Sequence, residues 1–365
     1  MGWLSKLVTR GRAHPQGPTT PAPTPAPTRA LTPATAPAPE RRPIAAVATF
    51  SQVVAQVAAP VPPPCAPEAI QAAAEQVLAR FDHDSPGLGS FPGMAARIMD
   101  ILSAPDPDFN RLVQALGQDI AITAKLLQVA NSALHARGEV VETVRAAAVK
   151  LGLREVGQLA IGLAGRSLFE TSSRVEYSLF PKSWDRLFHG AMTSAFSAGR
   201  LSLSARIGRS DSAFLAGMLH DIGKPIALHG LATLMRDGKL DRDVLAGGVD
   251  AVVEKVHVEV GRVLIAGWSL PEYLKTAAAL HHELELPADA PHELHIVRVV
   301  DGLEALRSGA ISEEQRQALR GGAAALRLDS RMLRACATEH AELAARVTGM
   351  FGVADPIGTG SPQAA

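Results

Sequence analysis

Phe214-Leu-Ala-Gly-Met-Leu-His-Asp-Ile-Gly-Lys224 is an apolar run that passes without a break into a histidine, an aspartate, a glycine and a lysine. Its first half reads as buried helix, so His220 and Asp221 enter a core. An uncompensated polar group there costs on the order of 2–7 kcal/mol, and an ionised carboxylate more. A divalent cation is one compensation. The other reading of this tract is a polar last turn on a helix that Gly223 and Pro225 bring to an end. Adjacent residues on a helix diverge by ~100°, so His220 and Asp221 can share an ion if the helix end points at it. Lys224 is a cation suited to a phosphate oxygen.

Outward from this tract, more candidate ligands sit in stretches that read as buried. His189 follows Trp184, Leu187 and Phe188. His257 opens His257-Val-Glu-Val-Gly261 and shares a helical face with Gly261, which clears space for another backbone or a ligand, while Glu259 faces solvent. His281 and His282 follow the apolar Ala277-Ala-Ala-Leu280. Asp301 follows Val297, Val299 and Val300, and a carboxylate in such a stretch wants a partner. Taken singly, His257 fits a satisfied core histidine, and His281 and His282 fit caps on helix carbonyls. Taken together, the imidazoles and carboxylates suit one or two ions of zinc, manganese or iron, or magnesium where carboxylates and waters dominate. His14, His83, His135, His229, His292, His295 and His340 read as ordinary.

The surrounding sequence predicts an all-α fold. Asp106-Pro-Asp108 places a cap and a first-turn proline ahead of Leu112, Val113 and Leu116, and Asp119 caps the next helix. Thr143 starts another, closed by Gly152, and Leu153 to Leu163 is apolar enough to be buried on most sides. Ser210 or Asp211 precedes the helix that carries His220; Pro271 opens 272–282 and Pro291 opens 292–306. No convincing strand alternation occurs. Residues 311–350 read as amphipathic helices that pack on the domain or mediate self-association, and 351–365 as a disordered tail. At the other end, residues 1–67 divide into a short basic helix around Trp3, Leu4, Leu7 and Val8 and a disordered Pro/Ala/Thr-rich tether such as Pro21-Ala-Pro-Thr-Pro-Ala-Pro-Thr28.

Composition bounds the function. Among 365 residues, 36 Lys and Arg balance 36 Asp and Glu, so bulk charge does not favour nucleic acid. Two cysteines, one in the tether, fit a reducing compartment. No apolar run approaches the roughly 20 residues that span a bilayer, and a secretory core is interrupted by Lys6, Arg10 and Arg12. The expectation is a cytoplasmic protein.

The order of a spaced histidine, a His-Asp doublet and a distal aspartate resembles the HD superfamily of metal-dependent phosphohydrolases. Leu88-Gly-Ser-Phe-Pro-Gly-Met-Ala-Ala-Arg-Ile-Met99, Gln118-Asp-Ile-Ala-Ile-Thr-Ala-Lys-Leu-Leu-Gln-Val-Ala-Asn-Ser-Ala-Leu134 and Ala146-Ala-Ala-Val-Lys-Leu-Gly-Leu-Arg-Glu-Val156 resemble the HDOD domain, the HD-related output domain of bacterial signalling proteins. The resemblance covers 80–310, with 80–180 as the N-terminal helical part and 181–310 as the metal-site part. It implies His189, His220, Asp221 and Asp301 as ligands of a first ion. His257 and one of His281 or His282 complete a second, Asp221 bridges, and Lys224 contacts substrate phosphate. It implies a signal-transduction module that engages signalling proteins, or alternatively a phosphohydrolase in which Asp221 and Lys224 are catalytic. The segment Leu284-Glu-Leu-Pro-Ala-Asp-Ala-Pro291 lacks the Gly-Tyr-Pro loop of the cyclic-dinucleotide phosphodiesterase branch, so that substrate is not implied.

Overall fold

The computed structural model describes residues 65–83, 90–104, 106–132, 140–243, 245, 247–309 and 311–351. The expectations for the N-terminal helix, for almost all of the tether and for 352–365 lie outside these residues. Among the described residues every regular element is helical. The first six are α1 (Pro67–His83), α2 (Gly93–Ser103), α3 (Phe109–Leu116), α4 (Ile120–Ala130), α5 (Val144–Leu151) and α6 (Leu153–Ala164). A 3₁₀ turn (Arg166–Leu168) leads to α7 (Arg174–Leu179), the long α8 (Pro181–Ala205), α9 (Ser210–Leu219) and α10 (Gly223–Arg236). Then come α11 (Val249–Ala266), α12 (Glu272–Leu280), α13 (His292–Ser308), α14 (Glu313–Ala325) and α15 (Ser330–Phe351).

Local chemistry explains most boundaries. Asp108 accepts from Asn110 and Arg111 N–H at 2.8 and 3.1 Å, Asp119 from Ile122 at 2.9 Å, and Thr143 from Ala146 at 3.1 Å. Pro107 precedes the Asp108 cap rather than sitting in the first turn of α3. Gly152, at φ 91°, closes α5 and opens α6, a backbone conformation that favours glycine. Two boundaries differ from the sequence reading. Arg209, not Ser210 or Asp211, holds the N-cap of α9, because Ser210 is buried and its hydroxyl donates to Gly199 O at 2.9 Å. The helix opened by Pro271 ends at Leu280, leaving His281 as its C-cap and His282 beyond it.

Three apolar clusters hold the helices. One joins Ile98, Leu112 and Leu126 to Phe188, Phe214 and, from the end of α15, Val347 and Phe351. A second packs Ala73 and Val77 of α1 against Leu231 of α10 and Val256 of α11. The third sets Ile296, Val299 and Leu303 of α13 against Leu319 and Ala323 of α14. The C-terminal helices thus pack on the rest, α14 against α13 and α15 along α8. Phe351, edge-on to Phe188 with centroids 5.1 Å apart, is part of that packing and not of a tail.

Candidate metal centre

The tract that begins at Phe214 folds as the end of α9, a two-helix corner, and the start of α10. His220 caps α9, its N–H donating to Ala216 O at 3.0 Å, and Asp221 occupies the turn. Gly223 then brings α10 into backbone contact with α11. A Cβ built there would lie 1.8 Å from His257 O, and one on Gly261 would lie 3.2 Å from Gly223 N. The space that Gly261 clears is therefore filled by another backbone. This contact draws Asp221 to His257, with Oδ1 and Nε2 at 3.3 Å.

Around Asp221 two groups of donors converge, each with its ligand atoms within 4.8 Å of one another: His220, Asp221 and Asp301, and His257, His281 and His282. Asp221 faces both. Its Oδ1 lies 3.6 Å from His281 Nε2, and its Oδ2 lies 3.4 Å from His220 Nε2. Asp301, buried in the middle of α13, reaches His220 Nε2 at 4.0 Å and His282 Nδ1 at 3.7 Å. His281 and His282 both belong to the second group, so the choice between them does not arise from geometry.

The tautomers are set by the helices themselves. Nδ1–H of His220 donates to Gly217 O at 2.9 Å, that of His257 to Glu254 O at 2.8 Å, and that of His281 to Ala277 and Ala278 O at 3.1 Å. A carbonyl can only accept, so each Nε2 carries a lone pair. The Nε2 atoms of His257 and His281 nevertheless meet at 3.3 Å inside a buried site. Two lone pairs at that distance repel unless a proton or a cation lies between them. Burial, with Lys224 nearby, pushes the His257 pKa down to about 4, and burial with the neighbouring imidazoles pushes His282 to about 2, so protonation of these two rings is opposed. His220 Nε2, Asp221 Oδ1 and His282 Nδ1 have no hydrogen-bond partner. Buried groups are rarely left so, and these donors fit a divalent ion.

The two carboxylates differ. Burial opposes ionisation of Asp221, but His220, Lys224 and the other imidazoles win and hold its pKa well below the usual value. Burial and the Asp221 charge raise Asp301 to about 7. Lys224 Nζ lies 2.8 Å from Asp221 Oδ2 and 2.8 Å from Glu254 Oε1. Glu254 was not among the sequence candidates. Its signal was its place one turn before His257, whereas Glu259 pairs with Arg262 on the exposed face. The site opens into a cavity of about 630 Å³ whose lining includes Asp221, Lys224, Glu254, His282, Asp301 and Glu304.

His189 lies outside both groups. Its Nδ1–H donates to Asp185 O at 3.0 Å, and its α8 neighbours Leu187, Gly190, Ala191 and Ser194 line the cavity instead. His340, read from sequence as ordinary, is buried: Nε2–H donates to Glu304 Oε2 at 2.8 Å and Nδ1 lies 2.8 Å from Ser197 Oγ. Leu343 and Val347, on the same face of α15, were the signal for that burial.

Comparison with known proteins extends the geometry. The family model of the HDOD domain matches residues 88–284, which takes in both groups except Asp301. A Treponema pallidum (strain Nichols) protein, named only as uncharacterized, is 23% identical over 205 residues, 54% of this chain and 38% of its own length. The chain thus spans well under half of that relative. Three solved structures share the fold. A Shewanella amazonensis SB2B protein, provisionally named a metal-dependent phosphohydrolase, has 20% identity over 78% of this chain and 99% of its own, with a TM-score of 0.55. An HDOD domain protein of unknown function from Geobacter sulfurreducens has 19% identity over 78% and 99%, TM-score 0.54. A Marinobacter aquaeolei VT8 protein, provisionally named for signal transduction, has 20% identity over 78% and 66%, TM-score 0.55. With more than half of the sequence matched by the family model and the same helical architecture in solved relatives, this chain belongs to the HDOD domain family.

Proposed function

We propose that this HDOD protein is a signal-transduction module whose paired ligand groups hold one or two divalent ions, and that the centre hydrolyses a phosphoester entering the adjoining cavity. The confrontation of the His257 and His281 lone pairs at 3.3 Å carries this reading, because a buried arrangement of that kind is stable around a cation. When bound, such ions polarise a phosphoryl oxygen and make a water nucleophilic. His220, Asp221 and Asp301 would hold one ion and His257, His281 and His282 the other, with His189 a proposed additional ligand from the family resemblance. Asp221 would orient both groups. Lys224 lines the cavity and offers an ammonium to a phosphate oxygen, and the apolar Leu187 and Ala191 of α8 line it as well.

One observation favours a second reading, in which the metal is held without turnover and the protein acts by binding a signalling partner or a second copy of itself. Six carboxylates line the cavity against two cations, Lys224 and Arg186, and both cations are already paired with acids. Such walls disfavour a highly charged anion. Metal quantification on the purified chain separates these readings from the absence of a centre: the wild type should carry a transition metal that Asp221→Ala loses. If neither holds metal after aerobic and anaerobic purification, the metal centre is wrong. A phosphoester panel with Mn²⁺ or Fe²⁺ then decides function. Turnover abolished by Asp221→Ala supports hydrolysis, and metal without turnover supports the partner-binding module, whose complex should survive in that variant.

A further inference from the structure

Lys224 and Glu254 carry an inference that rests on the metal-centre reading and deepens it. Asp221 is the carboxylate shared between the two groups, with Oδ1 toward His257 and His281 and Oδ2 toward His220. Lys224 Nζ sits 2.8 Å from that same Oδ2. The position follows from the corner: Lys224 comes three residues after Asp221, so its side chain folds back over the turn. The second partner of the ammonium, Glu254 Oε1 at 2.8 Å, comes from α11, and with a side chain 49% exposed it has freedom that Asp221 lacks. An ion held by His220 and Asp301 needs Asp221 Oδ2 as well. Two cations on one carboxylate oxygen repel, and the low local dielectric magnifies the repulsion.

We propose that Lys224 is a built-in counter-ion that competes with a divalent metal for Asp221 Oδ2, and that Glu254, already paired with it, is the positioning residue that retains the ammonium when the metal prevails. Affinity for the ion is then set by the release of Lys224 from one of its two carboxylates as well as by the ligands. Without Glu254, displacing Lys224 would strand a buried ammonium, so the exchange would be harder. Without Lys224, Asp221 is open to the ion and Glu254 has nothing to retain.

The test is calorimetric titration of the full chain with Mn²⁺ alone, on the wild type, Lys224→Met, Glu254→Gln and the double variant, each checked for helicity by circular dichroism. Lys224→Gln stands in if the methionine variant does not fold. Lys224→Met should bind Mn²⁺ about tenfold tighter and Glu254→Gln about tenfold weaker, each step being a modest free-energy change. The double variant should match Lys224→Met, because the two residues act as a unit. Unchanged or weaker binding in the lysine variants overturns the proposal. So does an equal loss from Glu254→Gln in both backgrounds, which would mean that Glu254 acts by its own charge. If no variant and no wild type bound Mn²⁺, the metal-centre reading would fail with it; a wild type that binds as its lysine variants do sinks the counter-ion alone.

Discussion

Gly223 sits where no side chain fits, because a Cβ would fall 1.8 Å from the His257 carbonyl, a backbone atom that cannot step aside. Gly223→Ala should therefore cost about 3 kcal/mol or more in chemical denaturation, at the upper end for overpacking, and should part Asp221 from His257. An unchanged midpoint would mean that the two helices separate freely. Asp301 supports a prediction in pH. Its folded pKa of about 7 lies above the ordinary 3.8, so between those values the metal-free folded chain holds a proton that the unfolded chain has lost. On its own this group favours folding at low pH and loses that contribution as pH rises through about 7. A metal needs the ionised carboxylate, so the sign reverses for binding. Mn²⁺ affinity should climb with pH by up to about tenfold per unit and level off above about 7, and Asp301→Asn should flatten the climb. Titration calorimetry at several pH values reads both slopes. The candidates His220, Asp221, His257 and Asp301 are legible in the sequence because polar side chains interrupt apolar runs. Glu254 is harder to pick out, since its place one turn before His257 is the one signal and its half-exposed position resembles any solvated helix face.

At the scale of elements, α15 ties the walls of the cavity together. His340 bridges Ser197 of α8 and Glu304 of α13, the latter one turn beyond Asp301. Burial acts against Glu304, but hydrogen bonds from Arg307 and His340 hold its pKa at about 2. His340→Ala should cost about 2–4 kcal/mol by urea titration, since it opens a cavity, strips the Ser197 hydroxyl of its partner and leaves Glu304 with Arg307 alone. A cost near zero would show that water replaces the imidazole. Caps such as Asp108, Asp119 and Thr143 can be found from sequence because their hydrogen bonds are made within three residues. The docking of α15 cannot, because its amphipathic pattern states that one face is buried without stating against what.

Across the whole molecule, the two ligand groups draw on the α9–α10 corner, α11, the end of α12 and α13, segments far apart in the chain. An ion there would cross-link these segments directly. Saturation at about 100 times the dissociation constant should add about 2.7 kcal/mol, visible as a Tm rise of several degrees that EDTA reverses. No rise with Mn²⁺, Fe²⁺ or Zn²⁺ would count against a centre that spans these segments. The fold class is legible because helix follows helix with recognisable starts and stops. The convergence of the ligands is legible only through family resemblance, since periodicity places a residue on a face and does not say which faces meet. Among the described residues no helix is long and apolar enough to cross a membrane.

Three imidazoles, His220, His257 and His281, are steered by carbonyls of the helices that carry them. None has to rotate before it can accept a metal, so ring motion adds nothing to the time of loading, and what the rings leave in place is the ion's own hydration shell. Mg²⁺ surrenders its waters reluctantly, and rigid rings give it no help in doing so. The centre would then select its metal by speed of entry as well as by strength of binding, admitting Mn²⁺ well before Mg²⁺ from a mixture of the two.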